Sequence, residues 1–162
     1  DLSSIEKIQI ETYSVAISEV GGIFYPKNIE EAMFSLPFSF ALGLSTGKVR
    51  INDFIPNLNN KEILDIVKKI SIIESQKMNE LYPLERGVRI KFLFANGTDI
   101  TKFLKLPKGE FDTPLTDEEY LEKALSITEG LVSIEKIKKI YSFLMSGYAN
   151  KNVKELITLI TN

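Results

Sequence analysis

The sequence of 162 residues contains no histidine, no cysteine and no tryptophan. Without cysteine the chain can form no disulfide, no thiolate metal site and no cysteine nucleophile. Without histidine it has no Ser-His-Asp triad, no imidazole metal ligand and no imidazole base near neutral pH. Proton transfer by this chain alone would therefore fall to Asp, Glu, Lys or Tyr side chains with shifted pKa values. An enzyme that uses histidine would have to supply it from another segment.

The chain also has little net charge and no long apolar run. Its net charge of −2 gives no basic surface for the phosphates of a nucleic acid. Its apolar runs are far shorter than the ~20 residues of a membrane span. The first residues, Asp1 to Ser4, show no basic or apolar signal segment. We therefore expect a cytoplasmic protein with no nucleic-acid and no membrane partner.

Length and composition predict one globular domain over residues 1–162. Hydrophobic residues make up 44% of the chain and charged residues 26%, as in ordinary globular proteins. A chain of this length can bury a substantial core. No internal repeat or low-complexity segment divides it.

Three segments predict β-structure. Ile5–Tyr13 alternates apolar and polar residues, which is typical of a half-buried strand. The pair Asn96-Gly97 favours a two-residue type I′ turn, and it joins two apolar segments. That turn predicts a hairpin in which Ile90 faces Phe103 and Leu93 faces Ile100. Ile72-Ile73 is consistent with a further strand.

Helix starts are indicated by capping residues followed by apolar residues at helical spacing. Such starts are predicted near Asn59-Asn60, Thr116, Ser133 and Asn152. Together with the strands they predict an α+β fold: a small, mainly antiparallel sheet with a β-hairpin, packed against several helices.

The segment from Asn28 to Gly47 contains an unusual helix start. Asn28 and Glu31 resemble a capping box, and Pro37 is tolerated only in a first helical turn. We therefore predict a short turn at 29–34 and a helix from Leu36 to Leu44 that Gly47 ends. Ser35 would cap this helix; its hydroxyl and the helix N-terminus could also bind a substrate carboxylate. The two roles are compatible, and the residues alone favour the cap.

Other polar and aromatic groups have simple structural interpretations. Acidic pairs such as Glu30-Glu31 and the run Asp117–Glu119 stand in first helical turns, where capping explains them better than acid–base chemistry. Lys68-Lys69 is typical of a solvated helix face. The cluster Phe34, Phe38 and Phe40 is more typical of a core than of a ligand cage. We predict no metal site and no cofactor.

Lys108, in Pro107-Lys108-Gly109, has two possible interpretations, one functional and one structural. After the hairpin it could offer a cation to a carboxylate, or the segment could be a plain turn.

The order of these motifs resembles the C-terminal domain of the MmgE/PrpD family, which includes 2-methylcitrate dehydratase, cis-aconitate decarboxylase and iminodisuccinate epimerase. The similarity covers nearly the whole chain. The motifs that carry it are, in order, the strand Ile5–Tyr13, Glu31-Ala32, Phe34-Ser35-Leu36-Pro37, Gly47–Phe54, Asn96-Gly97, Pro107-Lys108-Gly109, and Pro114–Glu119 with Lys123.

The resemblance implies the C-terminal, cleft-covering domain of a cofactor-independent lyase or isomerase that acts on small di- or tricarboxylic acids. In that family a catalytic Asp and His lie in a larger helical N-terminal domain, which this chain lacks. The resemblance therefore implies no catalytic residue in this chain, an inactive isolated domain, and a homodimer as the assembly.

The same resemblance implies substrate-binding roles for Met33, Ser35, Phe38 and Lys108. Met33 stands where the family usually has Arg or Lys, and Phe38 stands where it commonly has Tyr. These two replacements remove a cation and a phenol donor. They support an alternative function, a non-catalytic α+β module for assembly or regulatory binding with the same fold.

Overall fold

The computed structural model describes residues 2–147 and 152–161. The chain divides into two compact units, Asp1–Thr113 (unit 1) and Pro114–Asn162 (unit 2). The α+β class is confirmed, because helices and one four-stranded sheet are both present. The single domain over residues 1–162 stays a prediction.

Unit 1 contains the sheet and most of the core. After a 3-10 turn at Leu2–Ser4 its elements are, in chain order, β1 Ile5–Thr12, α1 Ser14–Val20, α2 Ile29–Met33, α3 Leu36–Thr46, α4 Ile51–Asn57, α5 Lys61–Val67, β2 Ile70–Glu74, α6 Gln76–Leu81, β3 Val88–Phe94 and β4 Asp99–Leu104.

The strands lie in the order β2-β1-β3-β4, so β1 is an interior strand. β1 pairs in parallel with β2, whereas β1–β3 and β3–β4 are antiparallel. This confirms the mainly antiparallel sheet and the strand around Ile72-Ile73. A parallel pair needs a crossover along the sheet, and here residues 13–69, with α1 to α5, form it.

The core lies between one face of the sheet and two crossover helices. The alternation of β1 turns Ile8 and Ile10 to that face, and both are fully buried. α3 packs against α5, and the rings of Phe40 on α3 and Phe92 on β3 lie 6.2 Å apart between centroids. Burial of an isoleucine side chain contributes about 1.5–3 kcal/mol, so β1 is a principal source of stability.

The hairpin is confirmed, but its predicted register is wrong by one residue. Phe92 faces Ile100 and Ile90 faces Lys102. The Phe94 N–H donates to the Thr98 carbonyl at 3.0 Å, which closes a three-residue loop rather than a two-residue one. A type I′ turn needs positive φ at both central residues, and in this loop only Gly97 has it, at 80°.

Three helices of unit 1 were not predicted: α1, α4 and α6. The N-cap residue of α1, Tyr13, makes no side-chain cap bond. Instead the Oδ1 of Asn79, on α6, accepts from the Ser14 N–H at 2.7 Å. This cap comes from 65 residues away in the sequence, so no local pattern indicates it. α4 contains Pro56, and a proline inside a segment predicts the interruption of a helix.

Unit 2 contains α7 Asp117–Ile127, α8 Ile134–Met145 and α9 Val153–Thr161. The predicted caps are confirmed: the hydroxyls of Thr116 and Ser133 accept from the N–H groups of Glu119 and Lys136. The Tyr141 hydroxyl donates to the Asp117 carbonyl at 2.8 Å and so connects α8 to α7.

Among the described residues, no helix is both long enough and apolar enough to cross a membrane.

Ile8→Ala tests the central role of β1. We expect a loss of about 2–5 kcal/mol in the free energy of unfolding, because the cavity forms in a fully buried site. Ile73→Ala is the matched control, since Ile73 is 41% exposed on β2, and it should cost less than about 1 kcal/mol. Urea unfolding followed by circular dichroism measures both. Equal losses would contradict this account of the core.

Candidate functional site

The α2–α3 junction carries three of the four predicted site residues. α2 begins at its cap Asn28, whose Oδ1 accepts from the Glu31 N–H at 2.8 Å. α2 ends at Met33, and α3 begins at Leu36 with Ser35 as its N-cap. The predicted turn and helix are therefore confirmed, and α3 continues to Thr46.

Ser35 is the connecting group at this junction. Its hydroxyl donates to the Ile23 carbonyl and accepts from the Phe38 N–H at 3.1 Å. The residue is 1% exposed. The predicted cap is confirmed, and the bond to Ile23 also fixes the preceding loop. The hydroxyl is buried and already bonded to two backbone groups, and contact between Ser35 and a substrate stays a prediction.

The two residues that differ from the family pattern lie on opposite sides of the junction. Phe38 is fully buried and its ring centroid lies 6.5 Å from that of Phe54 on α4. Met33 is 47% exposed. Phe38 thus belongs to the core, whereas the side chain of Met33 is accessible to solvent.

The prediction of a core position for Phe34 is wrong. Phe34 is 60% exposed, whereas Phe38 is buried and Phe40 is half-buried against Phe92. Phe34 is the C-cap of α2, where the chain leaves the helix. Its side chain therefore lies outside the stripe that α3 turns to the sheet.

Lys108 lies apart from the junction in sequence, in the turn that follows β4. Its neighbour Gly109 has a φ of +99° and donates its N–H to the Thr113 carbonyl at 2.7 Å. The Thr113 hydroxyl donates back to the Pro107 carbonyl at 2.6 Å. These bonds make residues 107–113 a closed turn, and Lys108 is exposed on it. A role in binding a carboxylate stays a prediction.

Two of the acidic residues serve as helix caps. The Glu31 carboxylate accepts from the Lys27 N–H at 2.8 Å, and that of Glu119 accepts from the Thr116 N–H at 2.8 Å. This confirms the capping box of Thr116 and Glu119. The Asn28–Glu31 pair is only partly a capping box, because the Glu31 carboxylate bonds to the N–H of Lys27 rather than to that of the cap residue Asn28. Among residues 2–147 and 152–161, no group of three or more acidic side chains is placed to hold a metal ion.

Tyr13, Asp65 and Lys68, all outside the α2–α3 junction, have shifted pKa values. The hydrogen bond from Lys68 to Asp65, at 2.7 Å, lowers the pKa of Asp65 and raises the pKa of Lys68. Both side chains are therefore charged at neutral pH. Burial raises the pKa of Tyr13, whose ring stacks on Tyr82 at 4.7 Å. These shifts keep Asp65 a carboxylate and Tyr13 a neutral phenol at neutral pH.

Two exposed apolar side chains of α4 were not predicted from the sequence. Ile51 and Ile55, both on α4, are 42% and 64% exposed. α4 packs against α2. Ile51 and Ile55 could not be identified from the sequence because α4 itself was not predicted. The local signal that could have indicated the start of α4 is Asp53, whose carboxylate accepts from the Arg50 N–H at 2.9 Å.

Comparison with known proteins supports the resemblance. The family model of the MmgE/PrpD C-terminal domain matches residues 1–143. The cis-aconitate decarboxylase-like protein oryM of Aspergillus oryzae (strain ATCC 42149 / RIB 40) is 28% identical over 122 residues. That match covers 75% of this chain and 25% of the relative. The chain therefore spans about a quarter of the length of that relative.

Ser35→Ala tests the junction. We expect a loss of about 1–2 kcal/mol in the free energy of unfolding, because the cap of α3 is removed. The Ile23 carbonyl and the Phe38 N–H also lose a buried partner.

The matched control is Asn28→Ala, which removes an exposed cap from the same unit. It should cost about 0.5–1 kcal/mol, since water can replace the lost bond. Urea unfolding of both variants gives the comparison. A cost for Ser35→Ala no larger than for Asn28→Ala would contradict the role assigned to Ser35.

Proposed function

The chain belongs to the MmgE/PrpD C-terminal domain family, and from this premise we propose that it forms the cleft-covering part of a cofactor-independent lyase or isomerase. The substrates would be small di- or tricarboxylic acids. The observation that carries the proposal is the family match over residues 1–143. The oryM relative, whose name is cis-aconitate decarboxylase-like, supports the same class of chemistry.

The proposed chemistry is removal of a proton beside a carboxylate or carbonyl group. The negative charge that develops is stabilised by cations and hydrogen-bond donors. This chain has no histidine. We assign the base to a helical N-terminal domain, in which the family resemblance implies a catalytic Asp and His.

The contribution of this chain is proposed to be substrate binding and closure. Ser35 and Phe38 fix the start of α3, and Met33 is an exposed side chain shortly before it. Lys108 is the cation that we assign to a substrate carboxylate. Met33 offers no charge, so recognition of the acid depends on Lys108 and on residues of the N-terminal domain.

A non-catalytic binding module of the same fold is the second candidate. The specific observation in its favour is the state of the junction: Ser35 and Phe38 are 1% and 0% exposed, and Met33 is uncharged. A protein with this junction keeps the fold but lacks the cation and the phenol that the family usually has at positions 33 and 38 for contact with an acid. In either case we propose a cytoplasmic homodimer.

A substrate screen of the complete gene product tests the enzyme proposal. We expect turnover of at least one small di- or tricarboxylic acid by the complete product, and none by residues 1–162 alone. Proton NMR of the acid measures it. Turnover by residues 1–162 alone would contradict the assignment of the base to another domain. An intact, folded gene product that converts none of these acids would favour the binding module.

Lys108→Ala tests the proposed carboxylate contact in the same assay. Loss of a charged hydrogen bond of about 1.5–3 kcal/mol lowers kcat/KM by about 10- to 150-fold. Lys102→Ala is the matched control, since Lys102 is an exposed lysine on β4 outside the proposed site. An equal effect of both substitutions would contradict a specific role for Lys108.

A further inference from the structure

Two neighbouring ion pairs connect the loop before β3 with the segment that carries Lys108. The Nζ of Lys105 lies 3.0 Å from the Oε1 of Glu85. The Nη1 of Arg86 lies 3.0 Å from the Oε1 of Glu110. Glu85 and Arg86 belong to the loop between α6 and β3, whereas Lys105 and Glu110 stand on either side of Lys108 after β4. The segment is therefore held at two points that flank Lys108.

The order of the four charges favours one alignment of loop and segment. In the loop the acidic residue comes first, and in the segment the basic residue comes first. An exchange of partners would place Glu85 beside Glu110. It would also place Arg86 beside Lys105, and like charges in contact repel. The observed pairing is the one that joins opposite charges at both points.

The loop itself is held by the core and by α6. The hydroxyl of Thr12, at the end of β1, donates to the Gly87 carbonyl at 2.9 Å, and Thr12 is 4% exposed. Gly87 is also buried. The Glu85 N–H donates to the Leu81 carbonyl at 2.9 Å, which joins the loop to the end of α6. Arg86 thus extends from backbone that is fixed on both sides.

Glu110 and Lys108 belong to the same closed turn. The Glu110 carbonyl accepts from the Thr113 N–H at 3.0 Å, in addition to the bonds of Gly109 and Thr113 described above. Two residues along the chain separate Cα atoms by at most about 7 Å, so a fixed Glu110 restricts where Lys108 can lie. A lysine is a point charge on a flexible stem. The place that its charge reaches therefore depends on the position of its backbone.

We propose that Arg86 and Glu110 are positioning residues, which hold the turn at residues 107–113 so that Lys108 meets a substrate carboxylate. This inference rests on the proposed function. Lys108 contacts the acid, and the Arg86–Glu110 pair acts through it. The side chains of Arg86 and Glu110 are 50% and 34% exposed. Partly exposed pairs are weak, so the expected effects are a few-fold in size.

Arg86→Ala and Glu110→Gln in the complete gene product test the inference, with the acid that the product converts. We expect each to lower kcat/KM by about two- to fivefold, mainly through a higher KM, because the turn is no longer held. The sign is informative for Glu110→Gln. Removal of a negative charge near an anionic substrate would by itself strengthen binding. An unchanged or higher kcat/KM for Glu110→Gln would overturn the inference.

The same substitutions in a Lys108→Ala background separate positioning from direct contact. Since the pair acts through Lys108, neither substitution should lower kcat/KM further in that background. A further two- to fivefold loss there would show that Arg86 has a contact of its own and would overturn the positioning role.

Arg89→Ala is the matched control. Arg89 is 41% exposed and also pairs with a glutamate, but its partner Glu11 lies on β1 and not in the turn. This substitution should leave kcat/KM unchanged. A loss equal to that of Arg86→Ala would overturn the inference, because it would show a general effect of removing a surface arginine.

Hydrogen exchange in the complete gene product gives a measurement that needs no turnover. We expect the Gly109 and Thr113 amides to exchange about two- to fivefold faster in Arg86→Ala, because the turn opens more often when it is not held to the loop. Exchange of these amides should not change in Arg89→Ala. Equal exchange rates in Arg86→Ala and in the unaltered product would overturn the inference.

Failure of the inference can be distinguished from failure of the proposed function. A complete gene product that converts no small di- or tricarboxylic acid would remove the proposed function, and the inference with it. Turnover that falls with Lys108→Ala but not with Arg86→Ala or Glu110→Gln would keep the proposed function and overturn the inference alone.

Discussion

The parallel pairing of β1 with β2 is the constraint on which the rest of unit 1 depends. Ile8 pairs with Ile70 and Ile10 with Ile72, so the chain must return along the sheet between the two strands. The crossover carries α3 and α5, which bury Phe38, Leu42 and Ile63 completely. The α2–α3 junction is thereby fixed against a rigid layer.

The junction connects this core with the outer surface over a few residues. Ser35 joins α3 to the Ile23 loop, Phe38 is inserted into the core, and Met33 and Phe34 remain outside. A substitution at Ser35 or Phe38 therefore acts first through the position of α3. Because hydrogen bonds and packing within unit 1 already order the start of α3, little conformational entropy would be lost if it took the cleft-covering role that we propose.

The sequence predicted the elements whose signals are local. β1 follows from alternation, α3 from Ser35 with Pro37 and Gly47, and α7 from the capping box of Thr116 with Glu119. α1 could not be predicted in this way, because its cap comes from Asn79 of another helix. The hairpin register was wrong because Asn-Gly also fits a three-residue loop with only Gly97 left-handed.

The candidate site was predictable as a segment but not as a surface. The motif around Ser35 identified the segment, yet the burial of Ser35 and Phe38 depends on contacts with Ile23 and Phe54 that are distant in sequence. The exposed side chains of α4 required knowledge that α4 packs on α2. Tertiary packing thus decided which of the motif residues face outward.

The most direct test of the account is a crystal structure of the complete gene product with a small tricarboxylic acid bound. We expect the acid to contact both this chain and residues outside 1–162, with Lys108 beside one of its carboxylate groups. An acid held entirely by residues 1–162, or one that makes no contact with residues 1–162, would contradict the account.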